Sequence, residues 1–295
     1  MKFLVSSDVN MKSCVTATQE LGDILQWIKL NLGIRVENTR IKKYYEYLSS
    51  KEKIESLADY NKYQLTAREI EDFFLIYKSF GCDDSSSSLN EKIKKTISGK
   101  EFRCESALVD NDPSRDFLHE LSIAARFKNS GYIVDIDSEC DVVMHFDDKT
   151  IFIECKRVKS ERKLFLRLKS ASKQINRRIG FNQKNKYGYI FLDITDLVVL
   201  DRNVEFFINK EYLIQSFHLK LSFYVNKLKD QIRNYVGRET IGVVFCVNGC
   251  GVISDGGNDK ILSCTVMYGL GCENGNKKLS QLNVKILGSL CQKTS

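Results

Sequence analysis

The stretch DVVMHFDDKTIFIECKR, residues 141–157, reads as two strands around a polar turn. DVVMHF and TIFIECKR carry the β-branched and aromatic residues that suit strands, and Asp-Asp-Lys between them marks a hairpin. Side chains alternate faces along a strand. Ile151, Ile153 and Cys155 therefore share one apolar face, which belongs to a core. Phe152, Glu154 and Lys156 share the other, so an acid and a base stand side by side near the end of the strand. By the same periodicity the Cys155 thiol packs inward and is no nucleophile.

If the turn is the two residues Asp147-Asp148, Phe146 faces Lys149 and Asp141 faces Glu154. Asp-Asp is not an ideal two-residue turn, and an Asp-Asp-Lys loop with a bulge is the alternative. Directly opposed residues hold their Cβ atoms about 4.5–5.5 Å apart. Two carboxylates that close repel unless a cation stands between them, and Mg²⁺ is a hard ion that takes such ligands. The plain alternative is a solvated strand face with a weak Lys–Glu pair. Glu120, on the preceding helix, lies beside that helix's apolar stripe. It is either at the margin of the packed face or directed at a site.

Outward from the hairpin, DPSRDFLHELSIAARFKNS reads as a helix opened by Asp112-Pro113 and stopped at Gly131. YIVDID follows as a strand. After the hairpin, ERKLFLRLKSASKQINRRI is helical and YGYIFLDITDLVVL is a long buried strand with its exit. Residues 210–236 form another helix, and TIGVVFCV and KILSCTVMYG are closing strands. The order α-β-β-β-α-β-α-β-β predicts an α/β domain, a mixed sheet with helices packed on it. Upstream, residues 14–80 read as helices, with Thr66 and Glu69 spaced as a capping box. CDDSSSSLN, 82–90, is the one low-complexity stretch. These features divide the chain into an N-terminal all-α region over 1–82, a linker and connecting helix over 83–111, and the α/β domain over 112–295.

Apolar residues make up 43% of the 295, and the single Pro and 17 Gly argue against a disordered chain. The ten cysteines are scattered. Cys246, Cys250, Cys264 and Cys272 lack the tight paired spacing of a zinc site. MKFLVSSDVN has too short an apolar core for a signal peptide. No stretch approaches the roughly 18 uncharged apolar residues that span a bilayer. A reducing cytoplasm without membrane contact is the expected setting.

Charge is distributed unevenly. Residues 154–187 hold twelve Lys or Arg and two acids, a net +10. The whole chain carries +7, so the remainder sums to −3. A basic helix is ordinarily a soluble surface, but acids normally intersperse such a face. Here the positive field begins beside the acidic pair and suits a polyanion.

Glu120 in a first helix, Asp141, and Glu154-Cys155-Lys156 in a hairpin resemble the PD-(D/E)XK, or restriction-endonuclease-like, nucleases. Gln174 resembles the Gln found in the following helix in some branches. The resemblance covers roughly 112–200, and its specificity lies in the order α-β-β-β-α-β. Asp141 follows Cys140 where the eponymous pattern has Pro. The resemblance implies a restriction-endonuclease-like core and an Mg²⁺- or Mn²⁺-dependent endonuclease that hydrolyses phosphodiester bonds. DNA is the first expectation, in restriction, phage defence or repair. Asp141, Glu154 and the main-chain carbonyl of Cys155 would hold the metal, and Glu120 a second ion or a metal-bound water. Lys156 would orient or deprotonate the attacking water, or stabilise charge on the phosphate. A Lys beside a metal and other cations is expected to have a lowered pKa. Lys173, Gln174 and Arg177 would contact the scissile phosphate or its neighbours. Arg157, Lys159, Lys169 and Arg178 would extend the nucleic-acid-binding surface.

Two other functions stay open: an inert nucleic-acid-binding scaffold on the same fold, and an RNA-directed nuclease or toxin-like effector restrained by a partner. The N-terminal helices would then regulate or assemble, through a homodimer or a partner protein. His119 and His145 are expected to lie outside catalysis, His145 at the surface.

Overall fold

The structure is a computed structural model that describes residues 2–10, 14–50, 56–82, 86–103, 112–136, 140–180, 184–199, 205–253, 260–272 and 277–290. In chain order the elements are β1 (Lys2–Asn10), α1 (Cys14–Leu30), α2 (Arg40–Ser49), α3 (Leu57–Phe80), α4 (Ser87–Thr96) and α5 (Pro113–Asn129). There follow β2 (Ile133–Asp135), β3 (Val142–Phe146), β4 (Lys149–Arg157), α6 (Glu161–Ile179), β5 (Lys186–Asp193) and α7 (Thr195–Val198). The chain closes with β6 (Phe206–Phe207), α8 (Lys210–Arg233), β7 (Thr240–Ile253), β8 (Lys260–Gly271) and α9 (Lys277–Leu290).

One mixed sheet runs β1-β8-β7-β5-β4-β3-β2, with β6 paired to β7. β4, β5 and β7 are parallel neighbours, and the remaining main-path pairs are antiparallel. Helices cover both faces. This explains why YGYIFLD reads as a continuous apolar run, since a strand buried on both sides needs apolar residues at every position. Tyr189 and Phe191 point to the face covered by α3 and α5, while Ile190 and Leu192 meet α6 and α8. The predicted mixed sheet with flanking helices is thus present. Among the described residues no helix is long and apolar enough to cross a membrane.

The hairpin takes the two-residue register. Phe146 pairs with Lys149 and Val142 with Ile153, which leaves Asp147 and Asp148 as the turn. Asp147 adopts φ 51°, a left-handed conformation that Asp tolerates better than most residues. Ile151, Ile153 and Cys155 enter the cluster on the α5 side, as alternation predicts.

Upstream, the structure departs from the predicted organisation. The first described segment is a strand, β1, antiparallel to β8, so the N-terminal region is not all-α. Its helices are also not a separate unit. Ile28, Tyr44 and Phe73 share one continuous cluster with Met144, Ile153 and Phe191 of the sheet. Thr66 is no cap either: α3 runs through it, and its hydroxyl donates to the Lys62 carbonyl one turn back, at 2.9 Å. Glu69, the supposed partner in that box, turns inward to Arg40 and Arg115, each at 2.9 Å. The connecting helix begins inside the serine run of the low-complexity stretch. Ser86 caps α4 by accepting the Leu89 N–H at 3.1 Å, and Ser87 and Ser88 are helical; residues 83–85 and 104–111 lie outside the described segments. The closing helix α9 had no counterpart in the sequence reading.

Gly188 sits where α6 crosses β5, and a Cβ there would run into the Ile175 side chain, which is fully buried. Gly188→Ala should therefore cost about 1–3 kcal/mol through overpacking, read from the shift in urea midpoint at unchanged slope.

Candidate functional site

Asp141 lies just before β3, opposite Glu154 by continuation of the register. Its Oδ2 accepts the Cys155 main-chain N–H at 2.8 Å and the Lys156 ammonium at 3.0 Å. The same Lys156 Nζ donates to Glu154 Oε2 at 2.8 Å. One cationic nitrogen thus lies within hydrogen-bond reach of both carboxylates. Arg178, near the end of α6, donates through Nη1 to the other oxygen of Glu154. Behind it, the Cys140 thiol donates to the Ile153 carbonyl at 3.1 Å. Glu154 is 0% exposed, whereas Asp141 and Lys156 retain 18% and 15%. The pair is therefore not a solvated surface contact. It is a buried carboxylate at the floor of a partly open polar centre.

Glu120 joins from α5. Its Oε2 accepts Lys92 Nζ at 3.0 Å, and that ammonium also donates to the Asp141 main-chain carbonyl at 2.9 Å. Lys92 belongs to the connecting helix α4, which sequence reading treated as a spacer. The one available signal was the helix pattern itself: Leu89 and Ile93 are the buried stripe of α4, and Lys92 stands one turn from Leu89. Three carboxylates, Glu120, Asp141 and Glu154, thus meet three cations, Lys92, Lys156 and Arg178.

The electrostatics follow from burial and spacing. Burial raises the Glu120 carboxyl to about 7, and the neighbouring Asp141 charge pushes the same way. Burial, and then Asp141, also raise Glu154. For Lys156, burial favours the neutral form, but the Asp141 and Glu154 carboxylates overcome it and raise the pKa. Two acids within 3.0 Å hold the ammonium charged, the direction opposite to the lowering expected beside a bound metal. Among the described residues, no group of three or more His, Cys, Asp or Glu side chains is set out to hold a metal ion. Asp141 and Glu154 do face a common point, with Glu120 on the far side of Lys92. Cys155 turns its N–H to Asp141, and a strand residue directs its carbonyl to the same edge.

The basic residues divide into two groups. Lys169, Lys173 and Arg177 are exposed and recur every four residues, so they form one stripe along α6. Gln174 is half-buried, lies one turn before Arg178, and its Oε1 has no hydrogen-bond partner among the described residues. Arg178 turns into the centre rather than outward. Lys159 is half-buried, and burial lowers its pKa. Arg157 does not belong to a nucleic-acid surface at all. Its side chain is 1% exposed and pairs with Asp112 at 3.1 Å, Asp196 at 3.4 Å and Asp193 at 3.5 Å. Alternation explains this correction, since Arg157 follows Cys155 onto the core side of β4. Sequence reading missed the cluster that receives it. Arg103 binds Asp193 at 2.8 Å, and Arg115 binds Asp112 at 3.3 Å.

His119 belongs with this second cluster, buried against the Phe191 carbonyl at 3.4 Å, and burial lowers its pKa to about 4. His145 is exposed, as expected. Cys246 and Cys250 pack on one side of the sheet and Cys264 and Cys272 on the other, which excludes a shared zinc among them.

The two networks make separable predictions. Arg157→Ala should lose about 3–5 kcal/mol of stability, because it strands buried acids. Lys173→Ala should change stability by less than about 0.5 kcal/mol; chemical denaturation of both variants checks this. A carboxyl whose folded pKa exceeds its unfolded value takes up protons on folding. Glu120 therefore lowers stability as pH rises from its ordinary 4.5 through about 7. Glu120→Gln should flatten that decline, measured as the difference between the two stability–pH curves; parallel curves would contradict the placement of Glu120. Compared with known proteins, the chain matches no family model, no curated protein and no solved structure.

Proposed function

We propose that the protein is a metal-dependent nuclease that hydrolyses phosphodiester bonds, with DNA as the first candidate substrate. One observation carries the reading: a single cationic nitrogen lies 3.0 Å from Asp141 Oδ2 and 2.8 Å from Glu154 Oε2 at the end of the β3–β4 hairpin. The chain order α5-β2-β3-β4-α6-β5 supports a restriction-endonuclease-like core, because it repeats the order the motif resemblance implies.

The donors present fit Mg²⁺ or Mn²⁺. Asp141 and Glu154 supply hard carboxylate oxygens aimed at one point, and the Cys155 carbonyl faces the same edge. When bound there, such an ion lowers the pKa of a water ligand and offsets charge on the phosphate. Lys156 would donate to a phosphate oxygen, or orient or help deprotonate the attacking water. Glu120, with a pKa near neutrality, is suited to hold a water and accept its proton. Lys169, Lys173 and Arg177 would bind flanking phosphates, and Gln174 offers a buried amide toward the same side as Arg178.

A second reading has its own support. Every carboxylate of the centre already carries a cation from this chain, which suits an inert nucleic-acid-binding scaffold. Purified protein incubated with plasmid, linear DNA, single-stranded DNA and RNA, in Mg²⁺, Mn²⁺ or EDTA, distinguishes the two. The nuclease reading expects metal-dependent cleavage that Glu154→Ala and Lys156→Ala each reduce by two orders of magnitude or more, roughly the weight of a positioned catalytic group. Salt-sensitive binding without cleavage would leave the scaffold. Arg177→Ala should make the salt dependence of binding shallower by about one unit of slope.

A further inference from the structure

The centre contains two places where an ammonium bridges oxygens of the kind that hold hard divalent ions. Lys156 fills the first, between Asp141 and Glu154. Lys92 fills the second, between Glu120 Oε2 at 3.0 Å and the Asp141 main-chain carbonyl at 2.9 Å. A carboxylate paired with a main-chain carbonyl is a donor pair that such an ion takes. The two lysines differ in how they are tethered. Lys156 lies on the same strand as Glu154, two residues away, and its ammonium answers two carboxylates at once. Lys92 reaches in from another helix, 28 residues from Glu120 along the chain, and its stem can swing clear while β3 and β4 stay paired.

We propose that Lys92 is a built-in competitor for a second divalent-cation position formed by Glu120 and the Asp141 carbonyl. The inference rests on the nuclease reading of the same centre and deepens it. Burial supplies the driving force. Glu120 is 13% exposed and Lys92 14%, so the carboxylate needs a positive partner. While Lys92 supplies it, the second position is closed; a divalent ion must displace the ammonium to enter. Lys92 Nζ already stands between Glu120 Oε2 and the Asp141 carbonyl, so an ion that bridges those two oxygens must take its place. The Lys92 side chain therefore controls the occupancy of that position.

Mn²⁺ is the probe, titrated by electron paramagnetic resonance against wild type, Lys92→Met, Lys92→Arg and Lys92→Met/Glu120→Gln, with Asp141→Asn as reference. Lys92→Met should bind the Glu120-dependent ion about tenfold more tightly than wild type, the effect of removing one charge-assisted hydrogen bond. Lys92→Arg should bind like wild type, and the double variant should lose the gain. Thermal unfolding gives a second readout: Lys92→Met should unfold earlier than wild type in EDTA and gain more from Mn²⁺. Amine labelling of wild type with mass-spectrometric detection needs no variant. Lys92 should label slowly in EDTA and faster as Mn²⁺ is added. Mn²⁺ binding that depends on Asp141 but is identical in wild type and Lys92→Met, with Lys92 labelling unchanged by Mn²⁺, overturns the competitor role alone. Absence of Asp141-dependent Mn²⁺ binding in every variant overturns the metal reading and this inference with it.

Discussion

Glu154 has no exposed surface, yet it occupies an interior strand of the sheet. A lone carboxylate there would cost several kcal/mol, so cations must reach it. Lys156 reaches it from the same strand, and Arg178 from the far end of α6. Meeting that single requirement aligns the helix after the hairpin with the strand it covers. It also draws Asp141 to the start of β3, because Lys156 can satisfy both acids only if they are close. The geometry of the centre is thus a by-product of burying charge, and whatever chemistry it performs begins from a balanced set of ions.

The second buried network solves a different problem. Arg103 precedes α5, Arg115 lies on α5 and Arg157 ends β4, while Asp193 ends β5 and Asp196 lies on α7. Glu69 of α3 ties Arg40 of α2 to Arg115. These contacts join elements far apart in sequence at the end of the sheet where the parallel strands stop. Buried ion pairs contribute little net stability over apolar packing, but losing one partner is expensive. The network ties the upstream helices to the end of the sheet, and each of its buried acids depends on an arginine from another element. Asp112 belongs to it as well: besides preceding Pro113 at the start of α5, it accepts from Ser114, Arg115 and Arg157.

Much of this was legible from residue order. Alternation along 151–156 placed Ile151, Ile153 and Cys155 inward, and the apolar run of β5 marked a doubly covered strand. The register of Asp141 against Glu154 was readable because strand pairing is local and the turn is short. What escaped depends on long-range packing. β1 pairs with a strand more than 250 residues downstream, and nothing local signals that. Arg157 looked like the first residue of a basic surface because charge counts ignore which face a side chain takes. Lys92 was one lysine among several on a short helix, and only the docking of α4 on α5 sets it beside Glu120. Thr66 and Glu69 had the right spacing for a cap, but Glu69 was needed as the counter-ion of two buried arginines.

Glu154, Cys155, Lys156 and Arg157 are four consecutive residues with separate destinations: the floor of the centre, one apolar core, the mouth of the centre and the second ion cluster. No part of that arrangement has slack. A single-residue insertion inside β4 ahead of Glu154, unless absorbed as a bulge, would exchange the two faces beyond it, sending a carboxylate toward the core and a thiol toward the centre, whereas the turn at Asp147-Asp148 can lengthen with both strands keeping their faces. Length change is therefore tolerated at the turn and resisted within the strands that flank it.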